Sequence, residues 1–273
     1  MRSGPYSAHP PNHLPRRAWA LALRWALAWW RIIDLGAVVL VLALSPSSYR
    51  PAARTRMARQ MLVDTAPILL GFTALAALLS LVITHIVVVT ALSYGLTRYA
   101  LEMVIRVLVL ELIPLTAALF VAMRSTIPSG AQLARLRAAG RLQALADRGA
   151  DPVRMEVLAR VLAGVHASIT LAALSCVVAL VMAYLGVYGL NTAGLPAYTR
   201  MFGQVFTPSI TLVFGLKTLL FSLAVALIPM ASGLHPPPAG ALQGQDGQGQ
   251  GGLARMFAVL LLIEVVSLMG NYY

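Results

Sequence analysis

The chain has 273 residues, of which 59% are hydrophobic and 11% are charged. A typical soluble domain carries roughly 25% charged residues, so a water-soluble enzyme is excluded and an all-α integral membrane protein is expected. Basic residues outnumber acidic ones, 21 against 9. Because the arginines cluster beside apolar runs, their placement favours membrane topology and anionic headgroups over nucleic-acid binding.

The N-terminal region predicts a tail and an amphipathic helix. Residues 1–15 contain four prolines and are predicted to be disordered. In residues 16–44, Arg17, Arg24 and Arg31 recur every seven residues and lie within about 40° of one another on an α-helix. All four tryptophans lie on the remaining surface, which predicts a helix in the plane of the headgroups. The alternative is a sixth span with two buried arginines.

Five apolar segments downstream predict transmembrane helices, since a crossing needs ~17–25 residues. The first span is predicted to end at residue 86, but the chain carries no formal charge from residue 65 to residue 97. The extra uncharged residues indicate a re-entrant or bent segment that reaches Gly95. A loop is predicted at residues 186–204, and a flexible Gly- and Gln-rich loop at residues 233–252. The predicted spans cover residues 65–86, 99–123, 161–185, 208–231 and 253–270, within a transmembrane domain of residues 60–271.

The distribution of arginines predicts the orientation. Nine arginines fall in the first 60 residues and seven in residues 124–160. The hairpin at residues 87–98 and the loop at residues 186–207 carry one each. The positive-inside rule therefore places the N-terminus and the segment 124–160 in the cytoplasm.

Charges inside the second span are candidates for function, because a charge in the membrane is costly. Glu102 and Arg106 are four residues apart and face each other on one helix side. Glu111 projects to a different face. Pro114 lacks a backbone N–H and frees the carbonyl of Leu110, which favours a kink beside Glu111. The alternative for Glu111 is a hydrogen-bonded structural side chain.

The later spans carry single charges and no recognisable catalytic cluster. Lys217 and Glu264 could pair across helices, or Lys217 could snorkel to the interface. A phosphate-binding loop needs Gly-Lys-Ser/Thr, whereas the only lysine lies in Gly215-Leu-Lys-Thr218. We therefore expect no ATP hydrolysis by this chain. His85 and His166 are isolated, so we expect neither a metal site nor a bound cofactor.

The basic segment 124–160 predicts a helix that contacts a cytoplasmic motor. Arg137, Arg141 and Arg148 lie within about 40° of one another if they share one helix. Glycines at positions 140 and 149 are expected to break the segment, and a proline at position 152 to start the next helix. The alternative is an amphipathic loop on anionic lipid. The candidate coupling residues are Arg137, Arg141, Leu142, Leu145, Arg148 and Asp151.

Four short motifs follow one another in the centre of the chain. They are Glu111-Leu-Ile-Pro114, Ala122-Met-Arg124, Ala144-Leu-Ala-Asp-Arg-Gly-Ala-Asp-Pro-Val-Arg154 and Leu158-Ala-Arg160. Their order and spacing are similar to those of the MlaE/YrbE permease family, which shows Glu-Leu-Gly-Pro, Ala-Gly-Arg, Leu-Gly-Val-(Asp/Asn)-Pro-(Ile/Leu)-Arg and a closing Pro-Arg. The resemblance covers residues 16–271 and includes Lys217 followed by a hydroxyl residue.

The chain departs from the family pattern at several positions. Leu110 stands where the family has an arginine before the glutamate, and Arg106 one turn earlier could substitute for it. Ile113 and Met123 replace glycines, which would loosen close helix packing. In the basic segment, acidic positions of the family are lost, so the coupling surface is more basic.

The resemblance implies a non-enzymatic permease subunit of an ABC transporter in the bacterial inner membrane. Its implied partners are a second copy of the chain, a cytoplasmic ATPase that holds the ATP, an MCE-domain protein outside, and phospholipid or a related lipid. The implied lipid site consists of Glu111 and Arg106 with Leu110 and Pro114. The alternative function is a secondary transporter that uses intramembrane carboxylates.

Overall fold

The computed structural model describes residues 14–49, 51–95, 97–235 and 245–272. All regular structure in these ranges is helical, and they contain no β-strand. The α-helices are α1 (Leu14–Leu44), α2 (Pro51–Ser93), α3 (Thr97–Val104), α4 (Ile113–Val121), α5 (Ile127–Ala138), α6 (Arg141–Asp147), α7 (Leu158–Tyr188), α8 (Leu195–Val205), α9 (Pro208–Leu234) and α10 (Gln245–Tyr272). Between them lie π-helical turns at Ile105–Leu112, Ala122–Thr126 and Val153–Val157, and 3-10 turns at Pro46–Tyr49 and Thr192–Gly194.

The expected class, an all-α integral membrane protein, is confirmed. In the described ranges, six helical stretches are long and apolar enough to cross a membrane. Five contain the predicted spans, and the sixth lies in α1, the predicted N-terminal helix. Whether α1 crosses the membrane or lies in the headgroup plane stays a prediction, and residues 1–13 of the predicted tail lie outside the described residues. The six stretches are Trp25–Leu44, Met57–Ser93, Leu101–Ala138, Val153–Tyr188, Pro208–Leu234 and Gly252–Gly270.

The predicted re-entrant segment after the first span is wrong. Helix α2 runs unbroken for 43 residues to Ser93, a length of about 65 Å at ~1.5 Å per residue. No glycine or proline lies between Pro67 and Ser93 except Gly71, so nothing in the sequence stops the helix there. It ends where Gly95 adopts a φ of 70°, a conformation that glycine tolerates well.

Two predicted loops are shorter than expected. Most of the predicted loop at residues 186–204 is taken up by the end of α7 and by α8. Helix α10 begins at Gln245, so the predicted loop at 233–252 is helical at both ends, while residues 236–244 lie outside the described residues. A Cβ atom at Gly252 would lie 2.8 Å from Oγ of Ser232. Close packing of α10 on α9 thus outweighs the low helix propensity of glycine.

One end of the bundle, which we call the basic end, is formed by α5, α6, the C-terminal end of α9 and the start of α10. Leu35 and Val39 of α1 are buried here against Leu133, Val157 and Met230. This cluster joins the first helix to the predicted coupling segment. Its apolar side chains hold the short helices α5 and α6 against the longer ones.

The opposite end is closed by α8, which packs on α7 through aromatic side chains. The hydroxyl of Tyr198 donates a hydrogen bond to the carbonyl of Leu180 at 2.8 Å. Burial, with a smaller contribution from Tyr188, raises the pKa of Tyr198 to about 12. The hydroxyl therefore remains protonated and keeps its role as a donor at neutral pH.

Candidate functional site

The second span stays helical past Pro114, from Leu101 to Ala138, but its hydrogen bonding changes before that residue. Residues Ile105–Leu112 form a π-helical turn, in which the N–H of Ile113 bonds to the carbonyl of Leu108. Pro114 has no N–H to offer the carbonyl of Leu110. That carbonyl therefore lacks its usual α-helical donor. A π-helical turn thus includes Glu111, whereas the kink predicted beside it stays a prediction.

Lys217 of α9 supplies another donor. Its side chain is 1% exposed, and its Nζ donates to the carbonyl oxygen of Leu110 at 3.4 Å. The same Nζ also donates to Oε2 of Glu111. The ring of Phe221 lies beneath the ammonium, with its centroid 5.6 Å from Nζ, a distance at which a cation is attracted to an aromatic face. Lys217 is therefore buried among partners and does not snorkel.

Glu264 of α10 completes the cluster. Its Oε2 lies 2.9 Å from Nζ of Lys217, so the pairing of these two residues across helices is confirmed. We call Glu111, Lys217 and Glu264 the charge triad. It joins the second, fourth and fifth predicted spans at one point and contains two carboxyl groups for one ammonium. Such a buried group of ions is costly to form, and removing one member leaves the others uncompensated.

The pair of Glu102 and Arg106 is the more accessible polar feature of the same span. Nε of Arg106 donates to Oε1 of Glu102 at 3.0 Å, which confirms the predicted i,i+4 contact. The side chain of Arg106 is 24% exposed and that of Glu102 is 39% exposed. Met103 and Val107 beside them are also exposed. This face of the span therefore presents a charged pair surrounded by apolar side chains.

The four residues of the predicted lipid site differ sharply in accessibility. Glu111, Pro114 and Leu110 are buried inside the protomer. Only Arg106 reaches the surface of the bundle. Glu111 is paired with Lys217, and its side chain is 10% exposed. Glu111 therefore has its partner within the protein, and Arg106 is the accessible member of the predicted site.

The basic segment does not form one helix. Gly140 and Gly149 adopt φ values of 70° and 73° and break it, as predicted. Arg137 therefore lies in α5, Arg141 begins α6 and Arg148 follows its end. The expectation that the three share one helix face is wrong, because the left-handed conformation at Gly140 turns the chain between them.

The other coupling residues divide into exposed and buried ones. Arg141, Arg148 and Asp151 are exposed. Leu142 is buried in the apolar cluster of the basic end, and Leu145 is half-buried. The carboxylate of Asp151 accepts from the N–H of Val153 at 2.9 Å, so it also caps the start of the following helix. Among the candidate coupling residues, the two arginines and the aspartate are therefore the exposed ones.

Arg137 faces inward. Its Nη1 donates to the carbonyl oxygen of Gly233, at the end of α9, at 2.7 Å. Beside this contact lies an open cavity of about 510 Å³ between α5, α9 and α10. Its lining is mixed, and no three His, Cys, Asp or Glu side chains in the described ranges come together in a way that could hold a metal ion.

Sequence reasoning found the members of the charge triad but not their arrangement. The sequence predicts that Glu111 does not pair with Arg106, and in the structure its partner is Lys217, 106 residues away. Arg137 and Gly233 are 96 residues apart, and no signal in the sequence links them. One signal for the contact with Lys217 is Pro114, whose missing N–H leaves the carbonyl of Leu110 able to accept from a donor elsewhere.

One comparison with known proteins gives a match. The family model described as Permease MlaE matches residues 57–271. This range begins in the first turns of α2 and continues through α10, so it contains the charge triad, the pair of Glu102 and Arg106, and the basic segment. No curated protein matches the chain.

Proposed function

Since the chain belongs to the MlaE permease family, we propose that it is the membrane subunit of an ABC transporter that moves phospholipids or related lipids. The observation that carries the proposal is the partly exposed pair of Glu102 and Arg106, which precedes the buried Glu111 of the charge triad by about one to three helical turns. A charged pair within an apolar face suits a molecule with a charged headgroup and long acyl chains. Such a face would be unfavourable if it only contacted lipid tails.

The lipid is proposed to bind between two copies of the chain. In each protomer, Arg106 would contact the headgroup phosphate, because a guanidinium is a strong donor to phosphate oxygens. The exposed Met103 and Val107 would contact acyl chains. Glu111 would not contact the lipid. It would hold the ammonium of Lys217 in place, and Lys217 in turn donates to the carbonyl of Leu110. Movement of these helices would then alter the position of Arg106.

The energy is proposed to come from a separate cytoplasmic ATPase, which would bind the ATP. Arg141, Arg148 and Asp151 at the exposed side of the basic end would contact this subunit. An MCE-domain protein would receive or deliver lipid at the opposite end of the bundle. In this proposal the protein lies in a bacterial inner membrane, with the basic end and the N-terminus in the cytoplasm.

The direct test is to purify the intact complex from native membranes and reconstitute it in phospholipid vesicles. We expect an ATPase to co-purify and labelled lipid to move only when ATP is supplied. In the same complex, Arg141→Glu should lower ATPase stimulation while Arg200→Glu, at the opposite end, should not. Normal complex recovery and stimulation with Arg141→Glu would count against the coupling surface.

A secondary transporter is the second candidate, because the charge triad places two carboxyl groups on one buried lysine. Intramembrane carboxyl groups are typical of ion and proton pathways. This candidate needs no ATPase. Full transport by the isolated chain in vesicles without nucleotide, driven by an ion gradient, would favour it over the ABC permease.

A further inference from the structure

Helices α5 and α9 meet backbone to backbone at the basic end. A Cβ atom at Gly130 would lie 2.6 Å from the carbonyl oxygen of Pro229, and one at Gly233 would lie 2.3 Å from the carbonyl oxygen of Gly130. Non-bonded atoms do not approach so closely, so only glycine fits at both positions. Both glycines are buried. The two helices are therefore in direct contact, with no side chain between them to rearrange.

Arg137 stabilises this contact between α5 and α9 with a hydrogen bond. The carbonyl of Gly233 lies in the last turn of α9, where the helix leaves its final carbonyls without partners of their own. Nη1 of Arg137 donates to it at 2.7 Å, and the guanidinium places a positive charge at the negative end of the helix dipole. This is a charge-assisted hydrogen bond, stronger than one between neutral groups. We call Gly130, Gly233 and Arg137 the glycine junction.

We propose that the glycine junction carries movement of the basic segment into α9 and so to Lys217, an inference that rests on the proposed function. Helix α9 runs from Pro208 to Leu234 and remains helical through Pro229, which lies between Lys217 and Gly233. Lys217 lies 16 residues before Gly233, about 24 Å along the helix. Because the backbones at the junction are in contact, α5 cannot shift without either moving α9 or breaking the bond from Arg137. Arg137 is thus a positioning residue within the permease.

A neighbouring contact extends the connection to α10. A Cβ atom at Gly252 would lie 2.8 Å from Oγ of Ser232, next to Gly233. Helix α10 carries Glu264, the third member of the charge triad. The second span, which carries Glu111, continues directly into α5. All three helices that meet at the triad are therefore joined at the basic end to the segment that would receive force from the ATPase.

The main test is Arg137→Ala in the whole complex, reconstituted in phospholipid vesicles, with ATP hydrolysis and lipid movement measured together. We expect the ATPase to remain bound and active, while the lipid moved per ATP falls about tenfold, the effect of losing one charge-assisted hydrogen bond. Arg137→Lys should restore part of this ratio, since an ammonium can donate to the same carbonyl. Arg135→Ala is the matched control, because Arg135 is exposed on the same helix.

A second variant tests the backbone contact itself. Gly130→Ala should force α5 away from α9 and lower the same ratio, whereas Gly215→Ala, where a Cβ atom would meet nothing within 4 Å, should not. A ratio equal to wild type in Arg137→Ala would overturn the proposal, as would loss of the ATPase from that complex, which would make Arg137 a docking residue. If Gly130→Ala does not assemble, Arg137→Ala decides alone. Failure of the proposed function is distinguishable, because the wild-type complex would then show no ATP-driven lipid movement.

Discussion

The ammonium of Lys217 donates a hydrogen bond to the carbonyl oxygen of Leu110, 107 residues earlier in the chain, at 3.4 Å. Pro114, four residues further on, has no N–H to donate to this carbonyl. An open carbonyl inside a membrane protein is unfavourable unless a donor reaches it. The proline of the second span and the buried lysine of the fourth are therefore linked through the carbonyl of Leu110, which lacks a donor from Pro114 and accepts one from Lys217.

Lys217→Met should destabilise the protein strongly. It removes the only cation of the charge triad and leaves Glu111 and Glu264 buried without compensation, a change that costs about 3–5 kcal/mol for a buried ion pair. We expect a lower unfolding midpoint in detergent, measured as monodisperse protein that survives heating, and loss of lipid transport. An unfolding midpoint equal to that of wild type would show that the triad does not stabilise the bundle.

Glu264→Gln is the companion change and should act differently. The amide keeps an oxygen beside Lys217 and removes the second carboxyl group of the triad. Because one cation then faces one carboxylate, we expect an unfolding midpoint no lower than that of wild type. A fall as large as that of Lys217→Met would mean that both carboxylates are needed as charges.

Pro114→Ala should slow transport without weakening the fold. Alanine supplies an N–H that can bond to the carbonyl of Leu110, in competition with Lys217. Alanine is also the better helix former, by about 3 kcal/mol in a helix interior. The π-helical turn should therefore become more regular, and lipid movement should fall while the unfolding midpoint is kept. Pro128→Ala is the control, since Pro128 is exposed and follows a different π-helical turn. Equal transport rates in both variants would exclude a special role for Pro114.

Arg106→Ala should reduce bound lipid without affecting stability. An exposed ion pair contributes about 0.2–1 kcal/mol at most, and the pair with Glu102 is partly exposed. We expect an unchanged unfolding midpoint and less phospholipid on the complex, counted by mass spectrometry of the intact detergent-solubilised assembly. Arg200→Ala, in α8 at the opposite end, should keep its lipid. Full lipid occupancy in Arg106→Ala would remove Arg106 from the site.

The placement of α1 can be decided by labelling. Cys176, the only cysteine, is buried, so Cys176→Ser followed by Ser7→Cys gives one accessible thiol. A helix in the headgroup plane keeps position 7 on the side of the basic end, so an impermeant maleimide added outside cells should not react. Ala146→Cys and Leu190→Cys, both exposed and at opposite ends, calibrate the two sides. Labelling at position 7 from outside would show instead that α1 crosses the membrane.

Local features of the fold could be predicted because short-range chemistry determines them. The contact between Glu102 and Arg106 follows from helical spacing. The breaks at Gly140 and Gly149 follow from the freedom of glycine to adopt a positive φ. The open carbonyl of Leu110 follows from the missing N–H of a proline. Each depends on residues within one or two turns of one another.

The candidate site could be predicted only in part, because the rotation of each span about its axis is decided by packing. Composition shows that Lys217 and Glu264 lie in apolar helices but not which way they face. The bond from Arg137 to Gly233 likewise depends on two helices meeting without intervening side chains. The unbroken length of α2 could not be predicted for a different reason, because apolar composition alone does not show where a helix leaves the bilayer.

That length has a consequence for how partners approach the protein. A helix of about 65 Å cannot fit within a hydrocarbon layer ~30 Å thick, so a large part of α2 must stand in the headgroups and water. Arg54 and Arg59 are exposed in its first turns, and Met57 between them is buried against the basic end. Any soluble subunit that docks there would contact the first turns of α2, and this contact would set its distance from the lipid surface.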